Sequence, residues 1–267
     1  LRIAEVKVTQ PIFTWGQVGA ATRAARLGFS FAEGQLRRFR QTVARDVTTA
    51  FYDALIAKDL ATFAAEDLAQ KQRHLEETRR RHAIGAATDY DILAADVAVK
   101  NARPAAIRAD HAVRVSRERL RFLLAETSAD IDVVGVLATD VAPPPDYDET
   151  LARALRNRPE LGEVASQRGI YAEFVTIARA AARPRVDFAS AVGGRNLGYP
   201  SLSASGTTWN AAIVATVPLF DGMRTRGRVT QAQTELTRVT LDELKLRESV
   251  ALEVRVAIDG VEEAGEV

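Results

Sequence analysis

Three histidines, His74, His82 and His111, are the natural candidates for metal binding or proton transfer, and their spacing supports neither. A helical zinc site of the HExxH kind sets two histidines four apart with a carboxylate between them, and no such pattern occurs. Glu76 and Glu77 are adjacent. On a helix they point to different faces, so they make poor acid–base partners. GxSxG, P-loop and dinucleotide-binding fingerprints are absent, and so is cysteine, which removes disulfides and thiolate metal sites. The reading is a chain that is not an enzyme, with no catalytic residue, no cofactor and no metal.

What the sequence does carry is a repeated piece of architecture. Residues 8–17 read VTQPIFTWGQ and residues 215–224 read ATVPLFDGMR. Setting Pro11 on Pro218 gives an offset of 207 (218 − 11), which also sets Phe13 on Phe220 and Thr14 on Asp221. Downstream, Val43, Asp46, Val47 and Ala50 fall on Val250, Glu253, Val254 and Ala257. A constant offset over such a stretch marks a duplicated half. Each copy reads as strand, stop, cap, helix. Proline lacks an N–H and suits a strand end. Thr14 and Asp221 can accept from unpaired helix N–H groups. The junction residues are therefore Pro11, Phe13, Thr14, Pro218, Phe220, Asp221 and Gly222.

Three segments alternate with period two, the mark of a half-buried strand. In 1–13, Ala4, Val6 and Val8 oppose Glu5, Lys7 and Thr9. In 185–193, Val186, Phe188 and Val192 oppose Arg185, Asp187 and Ala189. In 207–217, Trp209, Ala211, Ile213, Ala215 and Val217 oppose Thr208, Asn210, Ala212, Val214 and Thr216. The Gly-, Pro- and Ser-rich stretch 196–206 is expected to be an exposed hairpin loop. Trp209, placed at a strand start, is expected in an interfacial aromatic belt. Arg2, Glu5, Lys7, Arg185 and Asp187 are expected on a wet face.

The helices are long. No Gly or Pro interrupts Gln35 to Ile84. A helix from the Thr14 cap to about His82 would measure about 100 Å at 1.5 Å per residue. Its seam runs Val43, Val47, Ala50, Ala54, Ala57, Ala61, Ala64, Leu68. A turn at 83–91 follows, with Gly85 available for the left-handed cap position and Thr88 or Asp89 to start the next helix. That helix carries Ile92, Ala95, Val99, Ala102, Ala106, Ala109, Val113, Ser116, Leu120 and Leu123 at steps of 3 and 4, a heptad seam whose alanines permit close approach. Pro104 is expected to kink it or remove one hydrogen bond. After an irregular stretch at 128–147, a short helix at 148–157 and a helix from Pro159 through about Ala182 lead to the second strand. A last helix follows Asp221, with Val229, Ala232, Leu236, Val239, Leu246 and Val250 in its seam and a polar Glu243 within it.

Lys+Arg total 36 and Asp+Glu 35. This balance gives no reason to expect nucleic acid or an anionic membrane surface as the main partner. No run reaches the roughly 20 apolar residues of a membrane-spanning helix, but strands of a membrane barrel leave only a weak hydropathy signal. Three strands cannot close a barrel, since known membrane barrels have about eight or more. Left open they show unpaired edges. The helix stripes are narrow and suit other helices. The pieces require an oligomer with a composite barrel above a helical tube. The rival reading is a periplasmic coiled-coil adaptor or scaffold that crosses no membrane, which would have no need of such strands.

The chain resembles the TolC-like outer-membrane efflux and secretion channels. The resemblance rests on the paired QPIF and VPLFDG junctions, on GAATDYDILAADVAV (85–99), on NRPELGEVASQRG (157–169) and on ARPRVDFASAVG (182–193). It implies a mainly α fold with β: long antiparallel coiled-coil helices plus amphipathic strands that contribute to a trimeric transmembrane β-barrel. It also implies a homotrimer with four strands per protomer, in outer-membrane lipid, with a periplasmic adaptor (membrane fusion protein) and an inner-membrane pump as partners. On this resemblance, residues 1–267 form part of one protomer. The first half is 1–127, containing strand, long helix, tip turn 83–91 and helix. A connector or equatorial segment spans 128–158. The second half is 159–267, containing helix, strands 185–193 and 207–217, and a truncated long helix. The tip residues Gly85, Ala86, Thr88 and Asp89 would meet the adaptor. A further N-terminal strand–helix block and the gating residues of the second periplasmic turn would lie outside this chain, and Met223 stands where the family commonly has a second glycine.

Overall fold

A computed structural model describes residues 2–127, 130–137, 143–199 and 202–266. The order of elements is β1 (Arg2–Phe13), α1 (Gln17–Ala83), α2 (Asp89–Leu123), α3 (Tyr147–Asn157), α4 (Pro159–Ala180), β2 (Arg185–Tyr199), β3 (Leu202–Thr216) and α5 (Arg224–Glu266). The chain divides into two compact units, Leu1–Arg38 with Pro144–Glu263, and Phe39–Pro143 with Ala264–Val267. The helix α1 contributes to both.

The first unit holds the sheet. Its strands run antiparallel in the order β1-β2-β3. The two duplicated junctions adopt the same backbone path. Trp15 (φ 51°) and Gly16 (φ 83°) are both left-handed, and so are Gly222 (φ 64°) and Met223 (φ 67°). The offset of 207 maps one pair on the other, and it maps the first helical residue Gln17 on Arg224. The Thr14 hydroxyl accepts from Val18 N–H at 3.3 Å, and the Asp221 carboxylate accepts from Thr225 N–H at 2.9 Å. Each cap thus reaches a helix N–H across a two-residue left-handed step, which the sequence did not announce. The glycine occupies opposite places in the two steps. An L-residue in this region costs about 1–2 kcal/mol. Met223→Gly, which copies Gly16, is therefore expected to raise stability by about 0.5–1 kcal/mol after the added chain entropy of glycine, measured by thermal unfolding.

Beneath the sheet, α1 packs on α4 through small residues, with Ala20 and Ala24 buried. A Cβ on Gly34 would lie 2.8 Å from Glu163 Cγ, so only glycine lets the two helices meet there. Glu163 is buried, with Oε1 3.2 Å from Arg38 Nε. Burial pushes its carboxyl up, Arg38 opposes this and Glu160 adds to it. Arg23 forks onto Glu173 with two bonds of 2.8 Å. On α5, Val239 and Val250 are fully buried, and Glu243 sits between them in the same seam. Arg168 donates to Glu243 at 2.8 Å and Arg247 at 3.2 Å. Two guanidiniums explain how a carboxylate is tolerated in an apolar stripe.

The second unit is the helical hairpin. Of the α2 seam, Ala95, Val99, Ala102 and Leu120 are buried and the other six positions half-buried. Opposite them, Ala50, Ala54 and Leu55 cluster with Leu120 and Val133, and Leu75 packs on Ala95 and Val99. The helix α2 continues through Pro104. Val133 anchors the irregular segment after α2, and Asp132 beside it accepts from Lys58 at 3.2 Å and from Arg117 at 2.6 Å.

Two expectations are corrected. The stretch 196–206 is not a loop: Asn196↔Ser205, Leu197↔Ala204, Gly198↔Ser203 and Tyr199↔Leu202 continue the ladder, while residues 200 and 201 lie outside the described residues. Weak strand propensity yields there to the backbone pairing already set by register. Trp209 is consequently not at a strand start but seven residues from either end of β3.

Candidate functional site

The sheet is the first surface of interest. Register aligns Val6, Val192 and Trp209 across the three strands, then Val8, Ser190 and Ala211, then Gln10, Phe188 and Ile213. Directly paired residues share a face. The three apolar faces read separately from sequence are therefore one face. The opposite face carries Glu5–Gly193–Thr208, Lys7–Ala191–Asn210 and Pro11–Asp187–Val214. It also carries short ion pairs, Glu5–Lys7 at 3.2 Å and Arg185–Asp187 at 2.7 Å. Arg2 is the exception: it pairs with Asn196 and has the parity of Ala4, not of Glu5.

Neither face is covered. Val6 is 65% exposed, Trp209 78% and Ile213 71%. Residues 206–216 of β3 are exposed throughout. The outer edges of β1 and β3 have no strand beside them among the described residues. A sheet with one apolar face, one polar face, both bare, and two open edges is unsatisfied in water.

The junctions frame one end of this sheet. Pro11 stays in register with Asp187, and a bulge separates it from Phe13, which pairs with Val186. Pro218 lies two residues beyond β3, and Phe220 is largely exposed. Trp15, which no motif or periodicity singles out, stacks edge-on against Phe13 at 5.1 Å and lies under Arg183 at 5.0 Å.

The tip turn of the hairpin is the second surface. Gly85 (φ 76°) occupies the left-handed position after α1. Its N–H donates to His82 C=O and the Ala86 N–H to Arg81 C=O, each at 2.8 Å, which is a Schellman closure. Thr88 is the N-cap of α2, and its hydroxyl accepts from Asp91 N–H at 3.2 Å. Asp91 completes a capping box by accepting from Thr88 N–H at 2.8 Å. Asp89, the alternative cap, instead faces His82 Nε2 at 3.0 Å. Asp91 was legible in the Thr-x-x-Asp spacing. A cleft of about 430 Å³ beside the turn is lined by Thr78, Arg81, Ala86, Asp91 and Ala95. Among the described residues no cluster of His, Asp and Glu could hold a metal, and no helix is long and apolar enough to cross a membrane.

The bonds from Thr88 N–H and hydroxyl, with Arg81 nearby, hold the Asp91 carboxyl below the usual carboxylate range. A lowered folded pKa means that this contribution is complete above the unfolded value of about 3.9 and disappears as pH falls through the folded one. Asp91→Asn is expected to remove that share of the acid sensitivity of α2, followed by circular dichroism during acid titration. Thr88→Val should cost about 1 kcal/mol at neutral pH.

Residues 3–126 match the family model described as outer membrane efflux protein. The chain is 28% identical over 258 residues to Protein CyaE of Bordetella pertussis, covering 94% of this chain and 54% of that protein, so it spans about half of the curated relative's length. Its fold is similar to that of the outer-membrane channel OprN, with a TM-score of 0.78 and 17% identity over 97% of this chain and 58% of that one. It is equally similar to CusC, whose structures concern transmembrane channel formation, with a TM-score of 0.78 and 14% identity over 97% and 60%. With a match to the outer membrane efflux protein model over residues 3–126 and the fold of these channels along almost all of its length, the chain is similar to the outer membrane efflux proteins.

Proposed function

We propose that this chain is part of the outer-membrane channel of a tripartite efflux pump or type I secretion system in a Gram-negative bacterium. Three copies complete one barrel, and their helices continue as a periplasmic tunnel. Export through it is passive: the chain conducts, and an inner-membrane pump supplies the energy. The observation that carries this reading is the bare sheet, apolar on the face of Val6, Val192 and Trp209 and polar on the face of Lys7 and Asn210. Lipid satisfies the first face, a water-filled lumen the second, and neighbouring strands the edges. A coiled-coil scaffold working in water would leave all three unsatisfied.

The tip turn, with Gly85, Ala86, Thr88 and Asp89, is then the end that meets an adaptor. Its cleft and its rigid caps support that role. The expected result for the full-length protein carrying this chain is discrete single-channel conductance in planar bilayers. A protein that stays monomeric and soluble without detergent and shows no conductance would overturn the reading.

A further inference from the structure

The near-neutral total charge conceals a local excess. Three segments meet at the end of the sheet where β1 and β3 hand over to helices: 14–28, 171–184 and 217–232. Together they carry seven arginines (Arg23, Arg26, Arg179, Arg183, Arg224, Arg226, Arg228) and two carboxylates (Glu173, Asp221), a balance of +5 (7 − 2), against +1 for the whole chain. The carboxylates are committed, Glu173 to Arg23 and Asp221 to capping Thr225. The first turns of α1 and α5 contain no acidic residue. Among the described residues the Arg183 guanidinium has the Trp15 ring as its partner, and Arg183 is exposed together with Arg224, Arg226 and Arg228.

Beside these cations stands a second, apolar set. Leu219 is 93% exposed and Phe220 87%, with Phe13, Trp15 and Met223 also exposed. Trp15 and Met223 both sit in left-handed backbone, a conformation that is unfavourable for either residue. In water this arrangement has no physical justification. At the boundary of a bilayer it has two: aromatic rings settle at headgroup depth, and guanidiniums attract anionic lipid.

We infer that the junction end of the sheet binds acidic phospholipid headgroups in the leaflet that faces the helices, with Arg183, Arg224 and Arg226 taking the phosphates and Phe13, Trp15 and Phe220 entering the acyl boundary. This rests on the membrane reading of the sheet given above. Guanidinium forks match phosphate oxygens in pairs, which favours arginine at such a site. Charge complementarity selects lipid over a second copy of this chain, whose corresponding end is equally basic.

The test uses the full-length protein in vesicles, in two variants that keep a single tryptophan, either Trp15 or Trp209. Fluorescence quenching is compared for brominated phosphatidylglycerol and brominated phosphatidylcholine at equal mole fraction. Trp15 is expected to be quenched at a roughly fivefold lower fraction of the anionic lipid, the effect of about one arginine at an anionic surface. Added salt should shrink the preference. The triple change Arg183→Gln, Arg224→Gln and Arg226→Gln should bring the two lipids to parity while Trp209 quenching stays unchanged, which shows that the variant still folds and inserts. Equal quenching of Trp15 by both lipids, or none while Trp209 is quenched, overturns the headgroup site and leaves the membrane reading standing. The second of these results would mean that protein covers the junction end. Absence of quenching at both tryptophans overturns both.

Discussion

Ile213→Arg is expected to lower accumulation of the oligomer in the outer membrane, and Val214→Arg, one residue further on, to leave it nearly intact. The two side chains differ little in size and both are exposed, Ile213 at 71% and Val214 at 44%, but register separates them. Ile213 lies in line with Phe188 and Gln10, Val214 with Asp187 and Pro11. Arginine facing lipid costs about 2–4 kcal/mol at the middle of a barrel and less toward its ends, and Ile213 lies three residues from the end of β3. The cost recurs in every copy of the assembly. Arginine on the other face enters water beside Asp187, which is already paired with Arg185. Blotting for oligomer in outer-membrane fractions reads both variants. Equal loss in the two would mean that both faces are buried in protein.

Ala54→Leu is expected to weaken the helical hairpin by about 1–3 kcal/mol, the usual effect of overfilling a packed seam. Ala54 is 1% exposed and clusters with Ala50, Leu55, Leu120 and Val133. The alanines set the spacing of α1 and α2, so three added carbons must push the axes apart or leave their rotamers. Ala44→Leu, on the exposed side of the same helix, should stay within about 0.5 kcal/mol. Thermal unfolding of both variants checks the contrast.

Periodicity made most of this fold legible. All ten seam positions named on α2 are buried or half-buried, because a heptad pattern over 35 residues leaves little freedom in which face turns inward. The three strand faces were assigned separately, and register then placed them on one side. What failed depended on partners rather than on local pattern. The Gly- and Ser-rich ends of β2 and β3 have little propensity of their own and are strands because each pairs with the other. Glu243 looked like a flaw in the α5 seam until Arg168, distant in sequence, was seen beside it. The left-handed steps at Trp15–Gly16 and Gly222–Met223 were hidden because each contains only one glycine. Aligning the two copies position by position would have exposed them. The cation–π contact of Trp15 with Arg183 joins the two halves of the duplication, which no local reading reaches.

The most direct test of the central claim is a single-cysteine scan along β3 in native outer membranes, which this cysteine-free chain makes clean over its own length. A water-soluble maleimide should label cysteine at Thr208, Asn210, Ala212 and Val214 and spare it at Trp209, Ala211, Ile213 and Ala215. Labelling without that period of two would contradict a strand that faces lipid on one side and a lumen on the other.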